Sequence, residues 1–267
     1  PPPPPPPPKV YNKLEDRSLR LLNMEIAIST YGLTKEFNGL LAVNGLELTV
    51  KEGELFALLG PNGAGKTTTI NMLSCLLKPT KGTATIFGYD IITQPRQIKR
   101  LIGVSPQETI LSERLSAREN LEFIGSLFGI KGKKLKETVQ ELLEKMGLWE
   151  RSKEPVYRFS GGMKRRLSLL MALIHNPPLL FLDEPTLGLD PQARRALWDY
   201  IGELKGKKTI LLTTHYMEEA EALADRVAII DYGKLIALDT PQRLKNEYQC
   251  NNLEEVFLKL TGRGLRE

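Results

Sequence analysis

The sequence predicts an α/β fold with a largely parallel sheet, and three observations support this. Short apolar runs, several of them β-branched, recur at strand length and are separated by segments of helix length. Alternation of apolar and polar residues over 25–50 predicts an N-terminal antiparallel β subdomain. The stretch 116–147 has helical period and predicts a helical insertion. Strands that alternate with helices are typical of a parallel sheet covered by helices.

Composition and charge limit the classes of protein to consider. The 267 residues are 41% hydrophobic and 26% charged, which is typical of one globular domain. The densest apolar runs, such as 179–182, have the length of a strand, whereas a transmembrane helix needs about 18 apolar residues. With no pattern of a signal peptide either, we expect a cytoplasmic protein. The net charge of +5 is compatible with attraction to an anionic cytoplasmic leaflet or to nucleic acid. Because the basic residues are spread along the chain among acids, a solvated mixed surface is favoured, and we expect no nucleic-acid partner.

The N-terminal residues and the cysteines carry little functional information. Residues 1–8 are all proline, and we expect 1–23 to be a non-native or disordered leader to a domain over 24–267. Cys75 and Cys250 have neither a CxxC nor a zinc spacing, which predicts no metal or redox role.

The strands and the helical insertion follow one another along the chain. Within 25–50, Asn38-Gly39 and Asn44-Gly45 predict turns. A buried strand is predicted at 54–59, and further strands at 102–105, 179–183, 209–213 and 226–231. The helical stretch begins with Ser116 and Glu119, the spacing of a capping box. We expect a helical subdomain over about 108–175.

A phosphate-binding loop is predicted directly after the strand at 54–59. The spacing G-x-x-x-x-G-K-[ST] is formed by Gly60, Asn62, Gly63, Ala64, Gly65, Lys66 and Thr67, and Thr68 opens the helix that follows. Main-chain amides and the helix N-terminus would bind phosphates, Lys66 would neutralise them, and the Thr67 hydroxyl would bind Mg²⁺. The alternative is an ordinary glycine-rich turn. The loop alone fits kinases, GTPases, helicases and transport ATPases.

Two acids end the apolar strand at 179–183. Asp183 is predicted to bind Mg²⁺, and Glu184 to lie beside the water that attacks the γ-phosphate. The alternative is a surface pair at a strand end. His215 also follows an apolar strand, where a side chain is directed into the ligand crevice of an α/β sheet.

A second anion site is predicted on the same chain. Ser160, Gly161 and Gly162 precede a helix that runs to about residue 174, and its first amides are free to bind an anion. One nucleotide cannot fill both this site and the phosphate loop. The sequence therefore predicts a dimer in which each chain completes the site of the other.

The phosphate loop, Phe159-Ser160-Gly161-Gly162-Met163, the Asp183-Glu184 strand and His215 occur in the order found in ABC ATPases, which the chain resembles from Glu25 to about Arg263. The resemblance implies a P-loop ATPase core with ATP and Mg²⁺ as cofactors. It also implies that Phe37 stacks on adenine, with Tyr31 as a competitor, that Gln107 contacts Mg²⁺ and water, and that His215 contacts the γ-phosphate. The loop 187–190, which ends at Asp190, would cross the dimer interface. Phe159 and Met163 depart from the usual Leu and Gln, and the second change affects a polar contact near the ribose.

The C-terminal part further resembles ABC-2 type and drug-resistance export ATPases, on the residues 214–221 and 253–263. This resemblance implies a separate transmembrane permease subunit, a second ATPase subunit that is identical or different, and a position on the inner face of the cell membrane. The alternative is a soluble ABC ATPase that serves a cytosolic assembly scaffold, such as one for iron–sulfur clusters.

Overall fold

The computed structural model describes residues 26–262. The leader expected over 1–23 lies outside these residues. None of the helices in the described part is long and apolar enough to cross a membrane.

The N-terminal part forms the predicted antiparallel sheet. Its strands are β1 (Ile26–Phe37), β2 (Leu40–Leu46), β3 (Thr49–Lys51), β5 (Lys81–Ile86) and β6 (Tyr89–Asp90). Their order is β2-β1-β5-β6, with β3 paired to β1. The sequence did not predict β5 and β6, which extend this sheet.

One of the two predicted turns is confirmed and the other is wrong. Asn38 and Gly39 join β1 to β2 with φ angles of 47° and 86°, as a tight hairpin turn requires. Asn44-Gly45 lies inside β2. There the register shifts, because Leu33 pairs with Leu46 and Lys35 with Val43, so β2 carries one extra residue. Gly45, at φ 62°, accommodates this irregularity rather than a chain reversal.

A second, mostly parallel sheet forms the centre of the molecule. Its order is β11 (Lys234–Asp239), β10 (Arg226–Asp231), β4 (Leu55–Leu59), β9 (Thr209–Thr214), β8 (Leu179–Asp183) and β7 (Ile102–Ser105). Every neighbouring pair is parallel except β10 with β11. The carboxyl ends of β4, β7, β8 and β9 therefore meet at one edge, where open α/β sheets bind their ligands.

The helices cover both faces of this sheet. They are α1 (Lys66–Leu73), α2 (Pro95–Leu101), α3 (Ala117–Leu127), α4 (Gly132–Lys145), α5 (Gly161–Leu173), α6 (Pro191–Leu204), α7 (Met217–Leu223), α8 (Pro241–Tyr248) and α9 (Leu253–Thr261). Alternate residues of β4 enter two apolar cores. Leu55 and Leu59 pack with the core that includes α3, α4 and α5. Phe56 and Leu58 pack with α1 and the N-terminal sheet.

The helical stretch predicted over 116–147 consists of two helices, α3 and α4. Its capping box is confirmed, since the Ser116 amide donates to the Glu119 carboxylate at 2.8 Å and the Glu119 amide to the Ser116 hydroxyl at 3.2 Å. The helix is interrupted between α3 and α4 at Gly129 and Gly132, whose φ angles are 80° and 62°. The helical period of the apolar residues continues across this interruption, so the sequence pattern does not show where α3 ends and α4 begins. The helices α3, α4 and α5 contact one another and form a helical lobe beside the sheet.

Candidate nucleotide site

The phosphate loop lies between β4 and α1, as predicted, and its glycines are required by close contacts. A Cβ at Gly60 would lie 2.4 Å from the carbonyl oxygen of Ile230, and one at Gly65 would lie 2.3 Å from that of Ala42. Gly65 also has a φ of 100°. Any larger residue at these two positions would push the loop away from β10 or β2.

The loop presents main-chain donors at the start of α1. The first amides of a helix, here those of Lys66, Thr67 and Thr68, have no acceptor within the helix and lie at its positive end. Thr67, Asn62 and Gly63 are exposed, so an anion can reach this end. The arrangement can bind phosphate groups.

Lys66 is nearly buried and lies inside the loop. Its Nζ donates to the carbonyl oxygens of Gly60 at 2.7 Å and Pro61 at 3.2 Å. The same atom lies 3.0 Å from Oε1 of Glu184. The structure therefore brings the predicted phosphate-binding cation and the predicted base into direct contact.

Glu184 joins Lys66 to His215. Its Oε2 lies 2.5 Å from Nδ1 of His215, and only 3% of the Glu184 side chain is exposed. The backbone of Glu184 has a φ of 49°, a left-handed conformation that costs a non-glycine residue about 1–3 kcal/mol. The Glu184 amide donates to the carbonyl and to the hydroxyl of Thr213, both at 3.1 Å, which holds this conformation in place.

Asp183 is buried at the end of β8 and accepts a hydrogen bond from the Thr213 hydroxyl. The helix α1, which begins at Lys66 and Thr67, packs against β8. Within residues 26–262 no group of three metal-ligating side chains occurs. Mg²⁺ commonly takes one or two carboxylates together with phosphate oxygens and water. The carboxylate of Asp183 and the hydroxyl of Thr67 fit that pattern of oxygen donors.

The predicted second anion site lies at the start of α5. Ser160 caps this helix, since its hydroxyl accepts from the Met163 amide at 3.3 Å, and Ser160 and Gly161 are exposed. A cleft of about 410 Å³ separates this region from the loop after β7 and is lined by Gln107, Gly161, Gly188 and Leu189, among others. Gln107 is exposed. Asp190 caps α6 through a bond from the Ala193 amide at 2.9 Å.

Phe159 and Met163, which replace the usual Leu and Gln beside Ser160-Gly161-Gly162, both face inward. Met163 is 9% exposed and its sulfur lies 3.3 Å from Nη1 of Arg151. Phe159 is 6% exposed and lies under the same arginine, whose Cζ is 5.6 Å from the ring centroid. Both side chains therefore stabilise the helical lobe.

The aromatic side chains considered for adenine lie on β1. Phe37 ends the strand beside the β1–β2 turn and is 43% exposed, with Nζ of Lys35 5.1 Å from its ring centroid. Tyr31 is 56% exposed and pairs with Thr83 of β5. The strand β2 contacts the phosphate loop, since Ala42 lies against Gly65. The β1–β2 turn comes shortly before Ala42 along the chain. Phe37 adjoins this turn, whereas Tyr31 lies earlier on β1.

Several residues that shape the site were missed by the sequence analysis. Thr213 binds both Asp183 and Glu184. The amide of Gly233 donates to Ala64 of the phosphate loop at 3.1 Å. Arg165 hydrogen bonds to the main chain after β7 and β8. Of these residues, only Gly233 could have been found from the sequence, because Tyr232-Gly233 between two apolar stretches is typical of a turn between strands.

Known proteins resemble this chain in sequence and in fold. The family model described as "ABC transporter" matches residues 43–187. The chain is 45% identical over 228 residues to the daunorubicin/doxorubicin resistance ATP-binding protein DrrA of Streptomyces peucetius, which covers 85% of this chain and 69% of that protein. It is 44% identical over 234 residues to the Nod factor export ATP-binding protein I of Rhizobium sp. (strain N33), at 87% and 77% coverage. A dimeric post-hydrolysis structure of the ATP-binding cassette MJ0796, bound to ADP and Pi, is 26% identical with a TM-score of 0.74, over 80% of this chain and 98% of that chain.

Proposed function

This chain belongs to the ABC transporter family, and we propose that it powers an exporter by closing, with ATP, onto a second ATPase subunit. It is an ATP-binding and ATP-hydrolysing subunit whose relatives are named for drug resistance and for Nod factor export. These relatives do not favour the alternative of an ATPase that serves a cytosolic assembly scaffold. The observation that carries the proposal is the contact of Glu184 with both Lys66 and His215 at the end of the phosphate loop.

The residues of the loop and of β8 bind and orient the nucleotide in this proposal. Lys66 and the first amides of α1 bind the β- and γ-phosphates. Asp183, Thr67 and Gln107 would provide oxygen ligands for Mg²⁺, which when bound would neutralise charge on the phosphates. Phe37 stacks on the adenine ring. The other loop residues, Gly60, Asn62, Gly63, Ala64, Gly65 and Thr68, line the path of the phosphates.

Glu184 serves as the general base. Its Oε1 or Oε2 accepts a proton from a water molecule as the water oxygen attacks the γ-phosphorus, and ADP leaves with the electron pair of the broken bond. His215 contacts Glu184 through Nδ1, which leaves its Nε2 side available to contact the nucleotide. The phosphates attract Lys66 and draw it from Glu184, so that ATP binding frees the carboxylate to act on water.

The second subunit completes the site. The exposed start of α5, with Ser160, Gly161 and Gly162, can bind the γ-phosphate held by the partner, and the loop that ends at Asp190 lies beside it. The dimeric form of the solved relative supports this arrangement. The two subunits are copies of this chain or two different chains. Closure and opening of the dimer would move a separate membrane permease, with this chain on the inner face of the membrane.

The variant Glu184→Gln tests the proposal. Glutamine keeps the shape of the side chain but cannot accept the proton, so hydrolysis should fall about 10²- to 10⁴-fold while ATP still binds. Each bound ATP supplies an anion to the partner helix, so the variant should form a dimer in ATP without Mg²⁺, as light scattering would detect. Adding Ser160→Arg should abolish the dimer without emptying the phosphate loop. A variant that stays monomeric while saturated with ATP, alone and with a second ATPase chain, would contradict the proposal.

A further inference from the structure

Arg165 on α5 is buried among main-chain carbonyl groups. Only 4% of the residue is exposed. Its Nε donates to Pro185 at 2.8 Å, and its Nη1 donates to Pro106 at 2.9 Å and to Gln107 at 2.6 Å. Its Nη2 donates to the carbonyl of Glu184 and lies 3.5 Å from that of Asp183. One guanidinium therefore uses all three of its nitrogens on backbone oxygens.

These carbonyl groups belong to two separate loops. Pro106 and Gln107 follow β7, whereas Glu184 and Pro185 follow β8. The planar guanidinium presents five donors in a fixed geometry, so it can hold two backbone segments at a set distance from each other. A lysine has one donor atom and cannot span them in the same way.

The burial of this cation has a cost that the local charges offset. Removal from water lowers the pKa of Arg165, and the nearby Asp183, Glu184 and Glu219 act in the opposite direction. A buried charge is destabilising unless it is hydrogen bonded and compensated. The contacts at Arg165 meet both conditions.

The contact with Glu184 restrains a strained backbone from its second side. Thr213 holds the amide of Glu184, and Arg165 holds its carbonyl group. Since the φ of Glu184 is 49°, loss of either contact lets the peptide relax and moves the carboxylate. A displacement of about 1 Å in a reacting group can lower a rate about 10²-fold.

We propose that Arg165 is a positioning residue for ATP hydrolysis, which holds the loop of Gln107 and the loop of Glu184 against α5. This rests on the proposed roles of Gln107 and Glu184. Arg165 lies on α5, and Ser160 caps the start of the same helix. Arg165 therefore connects Gln107 and Glu184, in the ATP site of its own subunit, with the surface at Ser160 that completes the ATP site of the second subunit. A shift of α5 on dimer closure would then reach both loops together.

The variants Arg165→Lys and Arg165→Met test the proposal in the full chain. Arg165→Lys keeps the buried positive charge and protects against misfolding, while Arg165→Met keeps only the length of the side chain. For both we expect kcat to fall, by about 10²-fold for the methionine variant, with ATP affinity within about threefold of the parent value. ATP affinity is measured with a fluorescent ATP analogue, below the unfolding transition of each variant.

Arg226→Met is the matched structural control. Like Arg165, Arg226 donates to a main-chain carbonyl group, but it is only partly buried and also donates to the carboxylate of Glu54. It lies at the start of β10, at the opposite end of the strands from the nucleotide site. Its loss should lower stability and leave kcat unchanged. A fall of kcat in Arg226→Met equal to that in both Arg165 variants would overturn the proposal.

A double-mutant cycle with Gln107→Ala separates positioning from loss of stability. Gln107→Ala removes an exposed side chain and keeps the carbonyl group that Arg165 binds. If Arg165 acts through the loops of Gln107 and Glu184, the double variant should lose at most about threefold more rate than the worse single variant. Effects that simply multiply would contradict the proposal, as would a kcat near the parent value in both Arg165 variants. If Glu184→Gln itself hydrolyses ATP normally, it is the proposed function that fails.

Discussion

Lys66 and Glu184 form a buried ion pair in which Nζ lies 3.0 Å from Oε1 and the side chains are 5% and 3% exposed. The cation that would bind phosphate is thus also the partner of the base that would act on water. Both groups depend on each other for compensation of charge, because an unpaired ion in this environment is costly. Stability and hydrolysis are therefore linked at this pair.

Lys66→Ala should abolish ATP binding or hydrolysis and lower the free energy of unfolding by about 3 kcal/mol, since Glu184 keeps only His215 as a partner. Adding Glu184→Gln removes the uncompensated charge, so the double variant should regain most of the stability and none of the activity. Urea unfolding and ATPase assays measure the two properties separately. Full ATPase activity in Lys66→Ala would disprove the role of this loop.

Phe37→Ala should weaken ATP binding about tenfold, because stacking of a base on an aromatic ring contributes about 1–3 kcal/mol. Tyr31→Ala is the matched control, an exposed aromatic on the same strand, and should leave ATP affinity unchanged. Titration calorimetry with ATP compares the two variants. The reverse result, with a loss at Tyr31 alone, would assign the adenine contact to Tyr31.

The segment 108–118 should form the groove that receives a short helix of the membrane subunit. Ile110, within it, is 75% exposed and could offer an apolar contact to a partner. In a chain without Cys75 and Cys250, Ile110→Cys should form disulfide cross-links with cysteines placed in cytoplasmic loops of the membrane subunit. Leu40→Cys, on the N-terminal sheet at 69% exposure, is the control. Cross-links from position 40 alone would refute this docking site.

Glu219→Gln should change the pH dependence of stability. Glu219 is fully buried on α7, and burial raises its pKa above the ordinary 4.5, a shift to which the charge of Glu184 adds and which hydrogen bonds from Thr214, Thr186 and Trp198 oppose. The folded state therefore holds the proton more tightly than the unfolded state, so this group makes stability fall as pH rises from 4.5 through the folded pKa.

Glutamine retains an acceptor oxygen for Thr186 and Trp198 but does not titrate. We expect the variant to gain stability relative to the parent as pH rises over that window, by at most about 1.4 kcal/mol per pH unit. Urea unfolding at several pH values measures this slope. Glu218→Gln, an exposed neighbour, should reproduce the slope of the parent chain. An identical slope in Glu219→Gln would show that Glu219 does not titrate in this window.

The central sheet was largely predictable from the sequence because buried parallel strands are continuous apolar runs. The strands at 102–105, 179–183 and 226–231 have the predicted bounds. The strands β5 and β11 were missed, because they are partly exposed and lack a strong apolar pattern. The break between α3 and α4 was also missed, since glycines within a helical period do not by themselves end a helix.

Within the site, the sequence indicated the residues that act through side chains, because their spacing along the chain is distinctive. The contacts of Arg165 had no such signal. Its partners are main-chain carbonyl groups from distant loops, and a carbonyl group is the same at every position of a sequence. The ion pair of Lys66 with Glu184 likewise depends on how α1 packs against β8.

The division of β4 between two apolar cores has a consequence for how such chains diverge. Leu55 and Leu59 belong to the core that includes the helical lobe, whereas Phe56 and Leu58 belong to the core that includes the phosphate loop and the N-terminal sheet. Substitutions in separate cores share few contacts, and their effects on stability add nearly independently. Successive mutations can therefore alter the helical lobe with little effect on the packing around the phosphate loop.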